Sequence, residues 1–502
     1  MDGSGANRAK AVPEAMPPGG MAMTTATGVS KPTVEPIERA PLRARVSWML
    51  FDWAAQPFYT LVQTFLFAPY FANAVVENAT CGTLIKAGSE QAACGQSLWG
   101  YAASVAGLLI AVVSPFLGAL ADGRGPRKPW IAALAVLFLT GLSALWFAAP
   151  GASIPTVALV LAGFILATLA VELMGVFSNS IMTGLVPKDE LGRLSGTGWA
   201  VGYFGGLASL ALVAGFLVPL PGEAKTLLGL DPILQLNAAE HQGDRISGPF
   251  AAFWFAIFII PFFLFVPDKR SAAAATAVHR SARSELWNTL KSLPSMPSLM
   301  IFLIARMIYT DGLTAIFTFG GIYGATVFGW GALELGIFGI VLTLVGAFGA
   351  LIGGRLDDKL GPKTVIITAL LILIAGALGI LSVDKTHVLY ATDVAAKAAG
   401  SKPFSSIGEQ VFLAFAVIVG LVAAPVQAAS RSLLARLAPA EKMTQFFGLF
   451  AFSGKVTAFL APFLVAFVTQ QSGSQRIGMA AVLAFLMIGV VMMLFVRTDK
   501  TA

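Results

Sequence analysis

GALADGRGPRK (residues 118–128) and GRLDDKLGPK (354–363) are two copies of one loop. Gly118, Asp122, Gly125, Pro126 and Arg127 recur as Gly354, Asp358, Gly361, Pro362 and Lys363, each 236 positions on. A second loop is also written twice, as SNSIMTGLVPKDELGRLSG (178–196) and SRSLLARLAPAEKMTQFFG (430–448). There Ser178, Ser180, Pro187 and Gly196 match Ser430, Ser432, Pro439 and Gly448 at an offset of 252. Two loops repeated in the same order mean a chain of two related halves. Parallel repeats of this kind place a solute site between the halves, near the bilayer midplane.

The segments around these loops are apolar. Hydrophobic residues make up 57% of the chain and charged residues 12%, about half the charged share of a soluble protein. A helix crosses a bilayer with about 20 mostly apolar residues, and twelve such runs are present: 48–75, 97–121, 130–149, 154–181, 197–220, 249–267, 297–327, 333–354, 363–383, 408–433, 443–469 and 476–497. They are called spans 1 to 12 below. They are too long and too uniformly apolar for the ten-residue alternating strands of a membrane barrel. The expected fold is therefore an all-α membrane protein, with twelve transmembrane helices in two pseudo-symmetric six-helix halves. The expected domains are a disordered tail (1–47), an N-terminal half (48–267), a linker (268–296) and a C-terminal half (297–502).

The net charge of +7 does not indicate a nucleic-acid partner, because Lys and Arg gather on one set of alternating loops. That asymmetry follows the positive-inside rule and predicts both termini in the cytoplasm, in a bacterial inner (plasma) membrane. The tail lacks the apolar core of a signal peptide. Cys81 and Cys94 fall in one loop on the opposite side, where an oxidising compartment would allow a disulfide; two unpaired thiols are the alternative. His241, His279 and His387 are scattered in loops, so no metal and no cofactor is expected. No GxxxxGK[ST] stretch is present, so ATP does not drive this chain directly.

Ionisable groups inside a membrane are costly and mark function. At about 100° per residue, Asp52, Gln56, Tyr59, Gln63 and Tyr70 share one narrow face of span 1. Arg306, Thr310, Asp311, Thr314 and Thr318 form a one-sided arc on span 7. Glu172 and Asn179 lie on span 4, and Lys455 on span 11. Depth along the helices suggests two ion pairs, Asp311–Lys455 and Glu172–Arg306. Asp52, Gln56, Tyr59, Gln63, Glu172, Asn179, Arg306, Asp311, Thr314 and Lys455 are the candidate substrate-binding or coupling residues. Gly118, Asp122, Gly125, Arg127, Gly354, Asp358, Gly361 and Lys363 are the candidate gating positions. Asp122 precedes span 3, whose positive helix end favours an anion. Small-residue stripes at Gly198, Gly202, Gly206 and at Gly346, Gly349, Gly353 suit close helix packing.

The doubled Gly-x3-Asp-x2-Gly loop resembles the signature of the major facilitator superfamily over residues 48–497. The resemblance implies that the loop latches the two halves on the cytoplasmic side, and that spans 5 and 8 pack together. SWMLFDWAAQPFYTLVQTFLFAPYF (47–71), SGTGWAVGYFGG (195–206) and the 311–324 stretch are similar to the unknown-major-facilitator branch. That branch includes the fungal vacuolar amino-acid effluxer associated with autophagy. Trp48, Asp52, Trp53, Ala54 and Phe58 fit its first-helix pattern, while Ala55 and Gln56 depart from the Asn-Ser often found there. The expected function is secondary transport of a small polar solute, an amino acid being the implied class, by a monomer, with protons as the coupling ion. The alternatives are a non-transporting scaffold or receptor and an enzyme acting on lipid-linked substrates. No nucleophile–base constellation supports the enzyme.

Overall fold

The computed structural model describes residues 38–76, 91–122, 125–218, 225–237, 239–268, 282–397, 401–472 and 474–498. Cys81, the side chain of Cys94 and hence the disulfide expectation lie outside these residues. So do most of the 1–47 tail and the first part of the 268–296 linker.

Among the described residues, ten helices are long and apolar enough to cross a membrane. They include Gln91–Asp122, Lys128–Ala144, Ile154–Met182 and Leu191–Leu212 (spans 2 to 5). They also include Pro297–Phe328, Ala332–Leu360, Pro362–Leu381, Ile407–Leu437 and Gln475–Phe495 (spans 7 to 10 and 12). Span 6 is Ser247–Phe258 followed by Ile260–Phe265. Spans 1 and 11, which bring the total to twelve, are interrupted. Span 1 runs Leu42–Pro57, widens into a π-helix over Phe58–Phe65, and ends in short turns to Val75. Pro57 removes a ladder donor at that junction. Span 11 is Met443–Ser453, then hydrogen-bonded turns, then Leu460–Ser472.

Helices suit this setting because each satisfies its own backbone polar groups where no water can. Leu108, Val112, Phe253, Leu264 and Phe463 are exposed on the outside of the bundle, as a lipid-facing belt requires. Inside the N-terminal half, Phe58, Phe138 and Phe255 interlock with ring centroids 5.5 and 4.8 Å apart. The linker also contributes a helix, Ala282–Ser292. Its Thr289 is buried between Gln445 (3.0 Å) and Lys442 (3.1 Å).

Between the halves, span 5 packs on span 8, as the resemblance implied, and span 2 packs on span 11. The glycine stripes are used differently from that expectation. Gly198, Gly202 and Gly206 admit Asp52, Gln56 and Thr60 of span 1, and Gly349 and Gly353 admit Leu421 and Pro425 of span 10. These are contacts within each half, whereas a Cβ on Gly346 would lie 3.5 Å from the Tyr203 ring of span 5 in the other half. The tightest backbone approach between halves uses other glycines. A Cβ on Gly118 would lie 2.6 Å from the Thr444 carbonyl oxygen, and one on Gly354 would lie 2.7 Å from that of Gly192. Thr444 stands 252 positions after Gly192, so these are one contact repeated by pseudo-symmetry.

Away from the paired loops, a two-stranded ribbon, His387–Val388 with Thr392–Asp393, is anchored by Asp384. Burial raises the Asp384 carboxyl. The N–H groups of Thr386 and His387 and the Arg476 guanidinium outweigh this and hold it well below the usual carboxylate range. A depressed carboxylate stabilises the fold above its unfolded value, about pH 4, and loses that contribution as pH falls through the folded value. Asp384→Asn is therefore expected to cost about 1–3 kcal/mol at neutral pH. Its melting curve should converge on that of the wild type in strong acid. An unchanged gap at low pH would count against this account.

Candidate functional site

A cavity of about 450 Å³ lies between the halves. Spans 1, 4 and 5 wall one side with Asp52, Gln56, Tyr59, Glu172, Asn179, Trp199 and Tyr203. Spans 7, 10 and 11 wall the other with Arg306, Thr310, Thr314, Gln427, Arg431 and Lys455. Of the ten candidate residues named from sequence, eight line it. Gln63 and Asp311 do not. Gln63 sits in the π-helical stretch of span 1, whose wider turn carries it off the face projected for a regular helix. Asp311 is buried, 1% exposed, and stands outside the cavity lining. The side chain of Thr318 is outside the described residues.

The ion pairs also differ from those expected. Lys455 pairs with Glu172 across the halves, at 3.1 Å. Arg306 has no carboxylate partner among the described residues; it donates to the Phe450 carbonyl and to Ser453 Oγ (2.8 Å), and its guanidinium stands 3.3 Å from the centre of the Phe450 ring. Helix depth alone could not decide between these partners, because it omits the rotation of each helix and the break in span 11. That break lets Lys455 reach across the cavity.

The most connected residue at the cavity floor, Arg431, was not among the candidates. On the sequence it falls where span 10 (408–433) overlaps the second repeated loop (430–448), and in the structure span 10 continues as helix to Leu437. Its Nε donates to Ser195 Oγ (2.8 Å), Nη2 to the Ser195 carbonyl (2.7 Å) and Nη1 to Asn179 Oδ1 (3.0 Å). Asp52 Oδ2 is 3.5 Å away, and the Trp48 ring lies 5.1 Å beneath the guanidinium. Every one of these partners is in the opposite half. The repeat held a signal: Arg431 stands between the matched Ser430 and Ser432, at the position equivalent to Asn179, 252 residues earlier. The two equivalent residues bond to each other at the pseudo-twofold.

Beyond this floor the paired loops meet the opposite half. Asp122 accepts the backbone N–H groups of Thr444 (3.2 Å) and Gln445 (2.8 Å), in the first turn of span 11. Arg127 donates to Thr444 Oγ1 at 2.9 Å and lies 3.5 Å from Asp122. Asp358 repeats the contact, accepting the N–H of Arg193 in the first turn of span 5 at 3.1 Å. The expectation that Asp122 serves span 3 is thus corrected. A carboxylate does meet the positive end of a helix, but the helix belongs to the other half. Gly125 (φ 105°) and Gly361 (φ 83°) make the turns that aim these loops. Lys128 and Lys363 donate to the last carbonyls of spans 6 and 12, at Phe263 (2.9 Å) and Val496 (2.7 Å).

Two six-helix halves around a polar cavity, held together on one face by a duplicated Gly–Asp loop, define a secondary transporter with the major facilitator fold. The crystal structure of the transporter FucP in the outward conformation has this fold, with a TM-score of 0.66 and 14% identity, covering 91% of this chain and 99% of that one. The uncharacterized MFS-type transporter YxiO of Bacillus subtilis is 23% identical over 457 residues, 91% of this chain and 95% of its own. Autophagy-related protein 22 of Cryptococcus neoformans is 25% identical over 304 residues, 59% of this chain and 48% of its own. The family described as vacuole effluxer Atg22 like matches residues 42–502, and the chain belongs to it. The relatives are transporters, which sets the enzyme reading aside.

Proposed function

We propose that the protein exports a small polar solute by alternating access, with an amino acid as the favoured class. The observation that carries this reading is the charge of the cavity wall. Asp52 and Glu172 face Arg306, Arg431 and Lys455 across it, and Arg306 has no described carboxylate partner. A solute bearing both an ammonium and a carboxylate finds partners of each sign there. The family description, vacuole effluxer, supports the direction. The basic residues of the paired-loop face support a cytoplasmic assignment for that face and for both termini, in the plasma membrane of a bacterium. The protein acts as a monomer on this reading, and carboxylates of the cavity region couple transport to protons.

Counterflow in proteoliposomes tests it. Vesicles loaded with unlabelled amino acids should accumulate the labelled form without any imposed gradient. A panel of amino acids and small peptides giving no counterflow, with the protein folded, would support the scaffold reading instead.

The duplicated loop then serves as the cytoplasmic latch. A charge at a helix N-terminus contributes about 0.3–2 kcal/mol. Asp122→Asn, which keeps an acceptor but removes the charge, should therefore reduce the latched population by roughly 2- to 30-fold, and Asp358→Asn similarly. The measurement is the alkylation rate of Ala428→Cys, in a chain lacking Cys81 and Cys94; the native side chain is buried where span 10 meets Ser195 of the other half. If the double Asp variant alkylates no faster than the reporter alone, the loop is a passive turn.

A further inference from the structure

The cavity wall carries one positive charge without a match. Two carboxylates and three cations line it. Lys455 holds Glu172, and Arg431 stands beside Asp52. Arg306 is left, with no carboxylate among the described residues. An arginine side chain stays protonated in proteins, so this charge cannot be shed. The side chain is 7% exposed, and a buried charge without a counter-ion is costly.

One edge of this guanidinium is unused. Its hydrogen bonds to described residues all leave from Nη1, to the Phe450 carbonyl and to Ser453 Oγ. Nε is buried without a partner. Nε and Nη2 form the edge that can donate two parallel N–H bonds to one carboxylate. The group is fixed in place by span 11. The Phe450 ring centre is 3.3 Å away, and a Cβ on Gly454 would come within 2.9 Å of Nη1 and 3.1 Å of Nη2. The glycine where span 11 breaks thus leaves room for the guanidinium. Thr310 stands one helical turn further along span 7, on the same face. It also lines the cavity, is 7% exposed, and its hydroxyl has no partner. Thr314, one turn further still, differs: its hydroxyl donates to the Thr310 carbonyl and is satisfied by its own helix.

We infer that Arg306 and Thr310 form a carboxylate seat, and that the solute is selected by its carboxylate more than by its ammonium. The free guanidinium edge and the Thr310 hydroxyl offer donors without protein acceptors on one strip of the cavity wall. The groups that could take an ammonium, Asp52 and Glu172, already stand beside cations of their own. One guanidinium and one hydroxyl balance a single negative charge on a planar group; a phosphate dianion would leave a charge unmatched. The inference rests on the transport reading for the identity of the solute but not for its test.

The test is protection against thermal unfolding by bound ligand, in the full chain in lipid nanodiscs at constant pH and ionic strength. Alanine, valine and phenylalanine are each compared with three analogues: the amide, the amine without its carboxyl group, and the acid without its amino group. The amino acids and the acids lacking the amino group should raise the melting temperature. The amides, the amines and inorganic phosphate should not. Thr310→Val should weaken binding of the protecting carboxylates by roughly tenfold, and Arg306→Gln should abolish protection. Amides, amines or phosphate protecting as well as the acids, no carboxylate protecting, or affinities unmoved in Thr310→Val would each overturn the inference. If Arg306→Gln fails to fold, Thr310→Val decides alone. Carboxylate protection without counterflow of any of these compounds would sink the transport reading and leave the seat standing; counterflow of amines and amides as fast as that of the acids would do the reverse.

Discussion

Arg431→Gln is expected to abolish transport and lower the thermal stability of the purified protein. The guanidinium supplies three hydrogen bonds to Ser195 and Asn179 and the cation beside Asp52. All of them cross from one half to the other at the floor of the cavity. Removing one partner of a buried ion pair costs about 3–5 kcal/mol, largely because the other charge is left stranded. Here the stranded group is Asp52, whose Oδ2 already lacks a hydrogen bond. A loss of this size, applied to one conformation only, shifts the equilibrium between conformations by more than 100-fold. Adding Asp52→Asn should recover much of the stability, since no lone charge then remains, without recovering transport. Melting curves and counterflow together check this. If Arg431→Gln melts like the wild type, the contacts around Arg431 are not what joins the halves.

Gly448→Val and Gly196→Val should be the most damaging single changes on the latch face. Gly448 lies against the Ser114 carbonyl and Pro115, and Gly196 against the Ala350 carbonyl and Gly354. In both cases the obstruction is backbone, so no rotamer change can relieve it. Overpacking typically costs about 1–3 kcal/mol even where neighbours can yield, and at these crossings the easiest relief is separation of the halves. The expected result is a protein that folds, labels readily at Ala428→Cys and gives no counterflow. Gly100→Val on span 2 is the control, because nothing lies within 4 Å of a Cβ there; it should transport like the wild type. Equal damage from all three would mean that valine is simply poorly tolerated in these helices.

The two crossings are equivalent by the internal repeat, and this explains how much of the site was legible in advance. Gly196 and Gly448 were matched on the sequence as members of the second loop pair. Their role in spacing was not visible, because a glycine required by a neighbouring backbone looks the same as one at a loop edge. The regular stripes of spans 5 and 8 drew attention instead, and apart from Gly346, which meets Tyr203 of the other half, they mainly accommodate helices of their own halves. Asp122 shows the same limit. Its affinity for a helix N-terminus follows from its charge, but which of twelve helix ends it meets depends on how the halves dock.

Hydrophobic run length, the distribution of bases and the two repeated loops were enough to determine twelve spans, two halves and a shared cavity. These depend on transfer free energy and on local turn chemistry, which act along the chain and are written in it. The tertiary structure alone decided the partners: Lys455 with Glu172, Arg431 with Asn179 and Ser195, and Asp311 with no ion pair among the described residues. A partner is chosen by helix rotation, by the π-helical and broken stretches of spans 1 and 11, and by contacts hundreds of residues apart. The order of residues along one helix contains none of these.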